Sequence, residues 1–409
     1  MNFLWVVQRY GPEVLGGSEV AGRDFAQEML QRGHTVTVLT SCATSYSDWA
    51  NHFEPGESEI DGVRVVRLPV HAPRSHQQFG PLHSQVLGSN QPMLAQQQRW
   101  GRLIGPDLVG YARWLRENVG RFDVAIFKAY LYAMATRGIP ATFGRVPILF
   151  NPEAHPEEML NISLHESTFR LADAFQFHSQ EEAELVCRRF GFIPPHEVVG
   201  IGLKEHQFEP GGTQIVEKLG LSPRRYAVVV GRIDAGKGSF EAIEYFNSYR
   251  QHSLSDLKLV FVGERANISD LGDALVSTGF VSEEEKRDLI SQSLCLIQPS
   301  YLESFSIVLT ESWALGRPVL VQEKSAVLRG QTQRASGGLS YRNSESFDEA
   351  LGLLERNAGA ASSLGESGRK FVMNEYSWPN VIKRFEMAID KALESHARRH
   401  PQKKSFNSF

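Results

Sequence analysis

Two glutamates and two basic residues in the second half of the chain have the types and spacing of a ligand-binding site. Glu303 and Glu311 are eight positions apart in the stretch ESFSIVLTE, and Arg232 and Lys237 lie in the stretch VVVGRIDAGKG. Arginine offers a planar fork of donors to an anionic group, and lysine offers a point charge. One glutamate can face the reacting end of a ligand while the other holds its far end.

The apolar pattern around these residues predicts the elements that must position them. Apolar runs that end at glycine or proline indicate buried strands, and longer amphipathic runs indicate helices. A step from strand to turn to helix places a ligand at the carboxyl end of a parallel sheet, beside outward-pointing N–H groups of the helix. The predicted strands are 226–230, 294–297 and 319–321, and the predicted helices are 240–249 and 307–315.

Three motifs together resemble one known family. The spacing of Glu303 and Glu311 resembles the E-x7-E motif of retaining glycosyltransferases of family 4, which have the GT-B fold. The stretch from Gly231 to Gly238 is similar to that family's G-R-x-x-x-x-K-G donor loop. A third piece is the glycine-rich turn LGGSE at 15–19, after the first predicted strand. Each motif is weak alone, but their order and separations strengthen the resemblance.

The resemblance implies an α/β fold of two Rossmann-like domains whose parallel sheets face each other across a cleft. A chain of 409 residues is long enough for two such domains. Residues 1–198 are expected to form an N-terminal acceptor-binding domain, and residues 199–377 a C-terminal domain for the nucleotide sugar. Residues 378–409 are expected to form a helix that returns to the N-terminal domain, followed by a basic tail.

The resemblance also implies a role for each motif residue. Glu303 would face the donor sugar as a catalytic residue, and Glu311 would accept hydrogen bonds from the two ribose hydroxyls. Two cations would stabilise the charge of the departing diphosphate, usually the largest catalytic effect. The family often has glycine where this chain has Ser306, which leaves the identity of the sugar open. The expected donor-binding residues are Gly16, Gly17, Arg232, Lys237, Phe280, Phe305, Ser306, Ile307 and Glu311.

The N-terminal half departs from the family pattern at Lys128. Many members end the strand predicted at 123–127 with D-x-x-H-x-H, whose second histidine approaches the donor sugar. This chain has Ile126 and Lys128 at the corresponding positions. Lys128 is therefore a candidate catalytic residue that supplies a fixed positive charge, and a surface lysine is the alternative.

Other features of the first half bear on the acceptor. Residues 71–105 are predicted to be irregular, and the helix over 19–32 is predicted to begin with Ser18 as its N-cap. A cluster of Glu153, His155 and Glu157 is either an acceptor contact or a solvated loop. A basic, aromatic segment indicates an anionic or lipid-linked acceptor at a membrane surface, or simply a solvated helix face; it contains Arg99, Trp100, Arg102, Arg113, Trp114 and Arg116.

Composition excludes several other classes of protein. The net charge of −4 gives no basic field for nucleic acid. No apolar run approaches the roughly 20 residues that cross a bilayer, and the N-terminus lacks the pattern of a signal peptide. The three cysteines are isolated, which fits a reducing compartment. We therefore expect a cytoplasmic protein, with peripheral membrane contact left open.

The expected reaction moves a sugar from a UDP- or GDP-type donor to an acceptor hydroxyl with retention of configuration. The acceptor would be a glycan, a lipid-linked molecule or a small molecule. The sequence contains no Asp-x-Asp, the motif with which glycosyltransferases of the other major fold hold a divalent metal. We therefore expect a reaction that needs no metal or other cofactor, with Arg232 and Lys237 supplying positive charge.

Three alternatives remain open from the sequence. Gly231 to Lys237 fits the nucleotide-binding pattern G-x-x-x-x-G-K, but Gly238 stands where that motif has serine or threonine for magnesium. A GT-B sugar-nucleotide epimerase would need further acids and bases that no motif identifies. A sugar-nucleotide-binding protein without transfer activity is compatible with the missing histidine. Turnover of a donor separates an enzyme from a binding protein.

Overall fold

The computed structural model describes residues 1–14, 16–233, 235–263, 272 and 274–401, without the side chain of Ala235. Contacts divide the chain into two units: unit 1 contains Met1–Val199 and the chain from Ile382 onward, and unit 2 contains Gly200–Val381. Leu15 of the glycine-rich turn, Asp234 of the donor-loop motif and the basic tail beyond Pro401 lie outside the described residues.

Unit 1 is built on a sheet with the strand order β3-β4-β2-β1-β5-β6-β7-β8. All neighbouring strands are parallel except β3, which pairs antiparallel with β4. The order reverses direction between β1 and β5, the kind of position where open α/β sheets bind ligands. The strands are β1 (Asn2–Val6), β2 (Thr35–Ser41), β3 (Gly56–Ile60), β4 (Val63–Leu68), β5 (Val124–Lys128), β6 (Ile148–Asn151), β7 (Ala174–Phe177) and β8 (His196–Val198).

The helices of unit 1 cover a core of apolar strand residues. Helix α7 shows how local sequence sets an element: Ser179 Oγ accepts from Glu182 N at 3.2 Å, and Gly191 ends the helix in the left-handed conformation. The helices are α1 (Gly17–Gln31), α2 (His76–Leu87), α3 (Leu94–Ile104), α4 (Tyr111–Asn118), α5 (Ala133–Thr142), α6 (Leu164–Leu171) and α7 (Gln180–Phe190).

Two expectations for unit 1 are wrong. Residues 71–105 are not irregular, because helices α2 and α3 occupy most of this segment. They pack together through a small apolar cluster that includes Leu82, Val86 and Trp100, so tertiary packing overrides the polar composition. Helix α1 begins at Gly17 with Gly16 as its N-cap, and Ser18 therefore lies inside the helix.

Unit 2 is built on a parallel sheet with the order β11-β10-β9-β12-β13-β14. Its strands are β9 (Tyr226–Val230), β10 (Lys258–Val262), β11 (Leu275–Ser277), β12 (Leu296–Gln298), β13 (Val319–Gln322) and β14 (Gly338–Tyr341). Its helices are α8 (Gln214–Lys218), α9 (Ser239–Ser253), α10 (Glu283–Gln292), α11 (Ile307–Ala314), α12 (Ala326–Ala335), α13 (Ser344–Arg356) and α14 (Ala358–Glu375).

The sheets confirm the expected α/β class with parallel strands. The strand predicted at 226–230 has the same bounds in the structure, and the one predicted at 319–321 extends by one residue to Gln322. The last helix, α15 (Trp378–Arg399), starts in unit 2, and its residues from Ile382 onward belong to unit 1. Within unit 1, Phe385 packs against Trp5 and Phe25, with ring centroids 5.9 and 5.1 Å away.

Candidate functional site

In unit 2 the turns that follow β9 and β12 lie side by side. Leu296 of β12 pairs with Val228 of β9, so both turns leave the same edge of the sheet. Gly238 has a positive φ of 69°, and a Cβ at this position would lie 2.2 Å from the carbonyl oxygen of Pro299. Only glycine allows this approach, which brings the two turns, and their predicted site residues, together.

Lys237 and Glu303 form an ion pair across these two turns. The distance from Lys237 Nζ to Glu303 Oε1 is 2.9 Å. The lysine side chain is 36% exposed and that of the glutamate 11% exposed. Arg232 lies in the same turn as Lys237, and its side chain is exposed. The structure therefore brings a predicted cation and a predicted acid together, with solvent able to reach the cation.

Glu311 is held at one oxygen and unsatisfied at the other. Its Oε1 accepts from Lys286 Nζ at 3.0 Å and from Gln207 Nε2 at 3.3 Å. Its Oε2 is buried and has no hydrogen-bond partner among the described residues. Burial raises the pKa of Glu311, and the charge of Lys286 partly offsets that shift. This carboxylate is fixed in place and retains acceptor capacity. Neither partner could be predicted from the sequence, because both lie far from Glu311 along the chain.

The predicted backbone donors lie at the start of α11. Phe305 and Ser306 are buried, at 7% and 2% exposed. Ser306 is the N-cap, and its Oγ accepts from Gln298 Nε2 at 3.2 Å. The first N–H groups of a helix have no partner within it, so the backbone N–H groups at Phe305, Ser306 and Ile307 remain the candidate donors at this position. Phe280, after β11, is 71% exposed.

In unit 1, Gly16 lies next to the carboxylate end of the Glu19 side chain. A Cβ at Gly16 would lie 2.2 Å from Glu19 Oε2. Glu19 Oε1 accepts from Arg9 Nε at 2.9 Å, and Arg9 also donates to the carbonyl of Thr44 at 2.9 Å. Gly17 is the first residue of α1. Gly16 has an ordinary φ of −68°, and its nearest neighbour is the end of a flexible side chain, so the local structure does not by itself require glycine at this position.

Lys128 lies at the end of β5 inside a buried polar network. Its Nζ is 3.0 Å from Glu153 Oε1 and donates to the carbonyl of Ser18 at 3.1 Å. The side chain is 2% exposed. Ser18 Oγ donates to Glu153 Oε2 at 2.7 Å. Lys128 is therefore not the surface lysine of the alternative interpretation, and its charge is directed at protein groups.

His178 and Glu182 complete this network. Neither was predicted to be a site residue. His178 Nε2 lies 3.6 Å from Glu153 Oε1. Glu182 accepts from the backbone N–H groups of Ala154 and His178, both at 2.7 Å. Burial opposes ionisation of Glu153, but Lys128 and His178 outweigh it and hold its pKa well below the usual range. Burial raises the pKa of Glu182 to about 8.

The predicted acceptor cluster at 153–157 is divided between two neighbourhoods. Glu153 belongs to the buried network around Lys128. Glu157 Oε1 instead accepts from Tyr130 Oη at 2.5 Å and lies 3.1 Å from His155 Nδ1. The signal that could have identified the network is the pattern of strand ends. Lys128 ends β5, and Glu153 and His178 follow the adjacent strands β6 and β7.

Among the described residues, one group has ligand atoms close enough for a metal ion: Asp173, His396 and His400. The guanidinium of Arg399 lies 3.1 Å from Asp173 Oδ1, where it already supplies a positive charge. Asp173 Oδ2 also accepts from the backbone N–H of Ile148 at 2.9 Å. Through these contacts, the group links α15 to the sheet of unit 1. In the described part of the chain, no helix is long and apolar enough to span a membrane.

Part of unit 2 matches a known protein family, and two relatives match most of the chain. Residues 213–371, within unit 2, match the family model of glycosyl transferases group 1. An uncharacterized glycosyltransferase of Methanocaldococcus jannaschii is 24% identical over 97% of this chain and 100% of its own length. The D-inositol 3-phosphate glycosyltransferase of Rhodococcus jostii is 25% identical over 93% of this chain and 84% of its own length.

Solved structures match over nearly the whole chain. Sucrose-phosphate synthase from Thermosynechococcus elongatus has a TM-score of 0.71 and 17% identity, covering 96% of this chain and 99% of its own. HepE of Anabaena, solved in complex with UDP, has a TM-score of 0.70 and 13% identity. The match covers 95% of this chain and 100% of the HepE chain. These structural matches confirm the GT-B fold, and the sequence matches support glycosyltransferase activity.

Proposed function

We propose that this protein is a retaining, metal-independent hexosyltransferase of the family 4 type. It moves a sugar from a UDP- or GDP-type nucleotide-diphosphate sugar to an acceptor hydroxyl. The observation that carries the proposal is the pair of glutamates in unit 2, eight positions apart and each bound by a lysine. Lys237 lies 2.9 Å from Glu303, and Lys286 lies 3.0 Å from Glu311.

In this proposal Lys237 exchanges one anionic partner for another. The diphosphate of the donor carries two negative charges, and its charge grows as the bond to the sugar breaks. Because the lysine side chain is 36% exposed, its pairing with Glu303 is weak and a phosphate can replace it. Glu303 is then available to accept hydrogen bonds from the sugar hydroxyls. Arg232, in the same turn, adds a second cation for the leaving group.

Glu311 holds the ribose of the donor. Its buried Oε2 lacks a partner among the described residues, and two neighbouring ribose hydroxyls are suitable donors for it. Lys286 and Gln207 fix the other oxygen, so the carboxylate is oriented before the ligand arrives. The N–H groups of Phe305, Ser306 and Ile307 bind the sugar or the phosphate, and the backbone near Phe280 contacts the base.

In unit 1 we assign Lys128 a positioning role in donor binding. Its ammonium holds the carbonyl of Ser18, the residue that follows Gly16 and Gly17. The lysine thereby fixes the loop whose backbone would approach the donor. Retention follows the route proposed for family 4, in which the departing phosphate oxygen takes the proton of the acceptor. Arg232 and Lys237 supply the positive charge that a metal ion supplies in other glycosyltransferases.

The experiment that tests this function has two stages. Nucleoside diphosphates are first screened for thermal stabilisation, and the sugar donors of the stabilising nucleotide are then screened for hydrolysis or transfer. We expect slow hydrolysis by the wild-type protein and loss of that hydrolysis in Glu303→Ala. Glu323→Ala is the matched control, because Glu323 is an ion-paired glutamate of unit 2 outside the proposed site. Binding without any turnover would instead favour a sugar-nucleotide-binding protein.

A further inference from the structure

A second side-chain contact joins the two turns that carry Lys237 and Glu303. Tyr301 lies two positions before Glu303 in the same turn, and its hydroxyl donates to Glu241 Oε2. Glu241 lies in the first turn of α9, the helix that follows the turn of Lys237. The hydrogen bond therefore connects the same two turns as the ion pair, through side chains that have no part in the proposed function.

The carboxylate of Glu241 receives donors from two strand ends. Gln322, the last residue of β13, donates from Nε2 to Glu241 Oε1 at 2.6 Å. The Oε1 of Gln322 accepts from the backbone N–H of Lys324 at 3.1 Å, which fixes the orientation of the buried amide. Because an ionised carboxylate is an acceptor only, Glu241 can hold both donors at once, one on each oxygen.

The hydroxyl of Tyr301 is kept as a donor by its surroundings. Burial and the hydrogen bond to Glu241 raise the pKa of Tyr301 well above its ordinary value, so the phenol stays protonated at neutral pH. The ammonium of Lys324 lies over the tyrosine ring, 5.6 Å from its centroid. Glu241 lies in the first turn of a helix, where the helix dipole favours a negative charge. A hydrogen bond to a charged acceptor of this kind is stronger than one between neutral groups.

The turn that carries Glu303 is also held at both of its ends. At its start, the carbonyl of Pro299 lies against Gly238. At its end, the buried side chains of Gln298 and Ser306 are joined by a hydrogen bond of 3.2 Å. With the bond from Tyr301 in the middle, the turn is therefore fixed at three points without the ion pair.

The ion pair itself cannot hold the two turns together while the donor is bound. In the proposed function the diphosphate draws Lys237 away from Glu303, so this link opens as the ligand binds. The hydrogen bond from Tyr301 to Glu241 has no reason to open, because neither side chain exchanges its partner for the ligand. It is a contact that can keep the turn in place throughout the reaction.

We infer that Tyr301 and Glu241 are positioning residues that hold Glu303 in place when Lys237 turns to the donor diphosphate. The inference rests on the proposed function and deepens it by identifying what fixes the carboxylate. A misplacement of about 1 Å can lower a rate about 10²-fold. The effect should fall on donor cleavage rather than on nucleotide affinity, because other side chains bind the diphosphate and the ribose.

The test compares Tyr301→Phe with Tyr249→Phe in the full-length protein. Tyr249 is the matched control, because it also lies on the buried side of α9 and its hydroxyl also donates to a glutamate, Glu355, outside the proposed site. The kcat of donor hydrolysis and the Kd of the nucleoside diphosphate are measured for both variants. We expect Tyr301→Phe to lower kcat at least about tenfold and to keep Kd within about twofold of the wild-type value. Tyr249→Phe should change neither.

A double variant separates positioning from a general loss of structure. Glu241→Ala removes the acceptor of the same hydrogen bond, so adding Tyr301→Phe to it should lower kcat no further. Multiplied effects in the double variant would overturn the inference. So would an unchanged kcat in Tyr301→Phe, an equal loss of kcat in Tyr249→Phe, or a loss of nucleotide affinity as large as the loss of kcat.

Hydrogen exchange provides a readout that needs no turnover. Exchange of the peptide 299–306 is measured with the nucleoside diphosphate bound, and it should be faster in Tyr301→Phe than in the wild-type protein or Tyr249→Phe. Equal exchange in all three would overturn the inference. If the wild-type protein binds the diphosphate but cleaves no donor, the proposed function is contradicted, whereas exchange decides separately whether Tyr301 holds the turn.

Discussion

Two lysine–glutamate pairs, one in each unit, use the same chemistry in different surroundings. Lys237 lies 2.9 Å from Glu303 in unit 2, and Lys128 lies 3.0 Å from Glu153 in unit 1. The lysine side chain is 36% exposed in the first pair and 2% exposed in the second. Each pair lies just beyond the carboxyl ends of parallel strands, so position in the sheet does not distinguish them.

The difference in burial indicates different roles. An exposed ion pair contributes little to stability because water and salt compete with it, and either partner can be redirected to a ligand. A buried pair is costly to break, since removing one partner leaves an uncompensated charge. Ser18 contacts both members of the buried pair and locks its geometry. We therefore expect the pair of unit 2 to act on the ligand and the pair of unit 1 to hold a loop.

The largest expected effect is the loss of folding stability caused by the substitution Lys128→Ala. This change leaves Glu153 charged and buried, so the free energy of unfolding should fall by about 3–5 kcal/mol. Urea unfolding measures it, with Arg113→Ala as a control for an exposed ion pair of the same unit. If Lys128→Ala were as stable as the wild-type protein but had lost turnover, the two pairs would not differ in role as proposed, because Lys128 would then act directly on the ligand.

The next largest expected effect is a lower rate of donor cleavage in the variant Lys237→Ala. Removing one group that stabilises the leaving diphosphate should lower the rate of donor cleavage by about 10²–10³. The melting temperature should stay near that of the wild-type protein, because water reaches the lysine, which is 36% exposed, and weakens its pairing with Glu303. Lys370→Ala, which disrupts an exposed pair with Glu366, is the control. The assignment of Lys237 is wrong if both variants lose the same activity or if neither does.

A smaller effect is expected on nucleotide binding in Glu311→Gln. Loss of a charged acceptor for the ribose hydroxyls should weaken binding by about 1.5–3 kcal/mol. Titration with a 2′,3′-dideoxy nucleotide sharpens the test, because that ligand should bind to the variant and the wild-type protein alike. Glu323→Gln is the control. A variant that still prefers the ribonucleotide as strongly as the wild-type protein would exclude the ribose contact.

The smallest expected effect, taken per pH unit, is a pH dependence of stability that arises in unit 1. Burial raises the pKa of Glu182 from its ordinary value of 4.5 to about 8 in the folded state. Between these values the folded protein binds more protons than the unfolded chain, so stability falls as pH rises from 4.5 to 8. The slope is at most about 1.4 kcal/mol per pH unit. Urea unfolding at several pH values should show this slope, and Glu182→Gln should remove it. An unchanged slope in the variant would assign it to other groups.

The sequence was most informative in unit 2, where short motifs coincide with strands and turns. Lys237 and Glu303 could be predicted to meet because the strands before them are apolar runs that belong in one parallel sheet. Gly238 was part of the motif, and the structure explains it by the close approach of the Pro299 carbonyl. The partners of Glu311 were not predictable, because Gln207 and Lys286 come from segments that only the folded chain brings near it.

Unit 1 was less predictable because its informative residues form no local motif. The network around Lys128 joins residues from three strand ends and two helices, and nothing within a short window connects them. Helices α2 and α3 were missed because glutamine, histidine and proline mask a weak apolar pattern. Trp100, which the sequence indicated as part of a basic aromatic surface, is buried between these helices and donates to His83 at 3.1 Å.

The measurement that tests the central claim most directly is the affinity of Lys237→Ala for a nucleoside and for its diphosphate. The base is the one that stabilises the wild-type protein best. If Lys237 binds the diphosphate, the variant should lose affinity for the nucleoside diphosphate and keep its affinity for the nucleoside. Equal losses for both ligands, or none for either, would contradict the role of the Lys237–Glu303 pair on which the account depends.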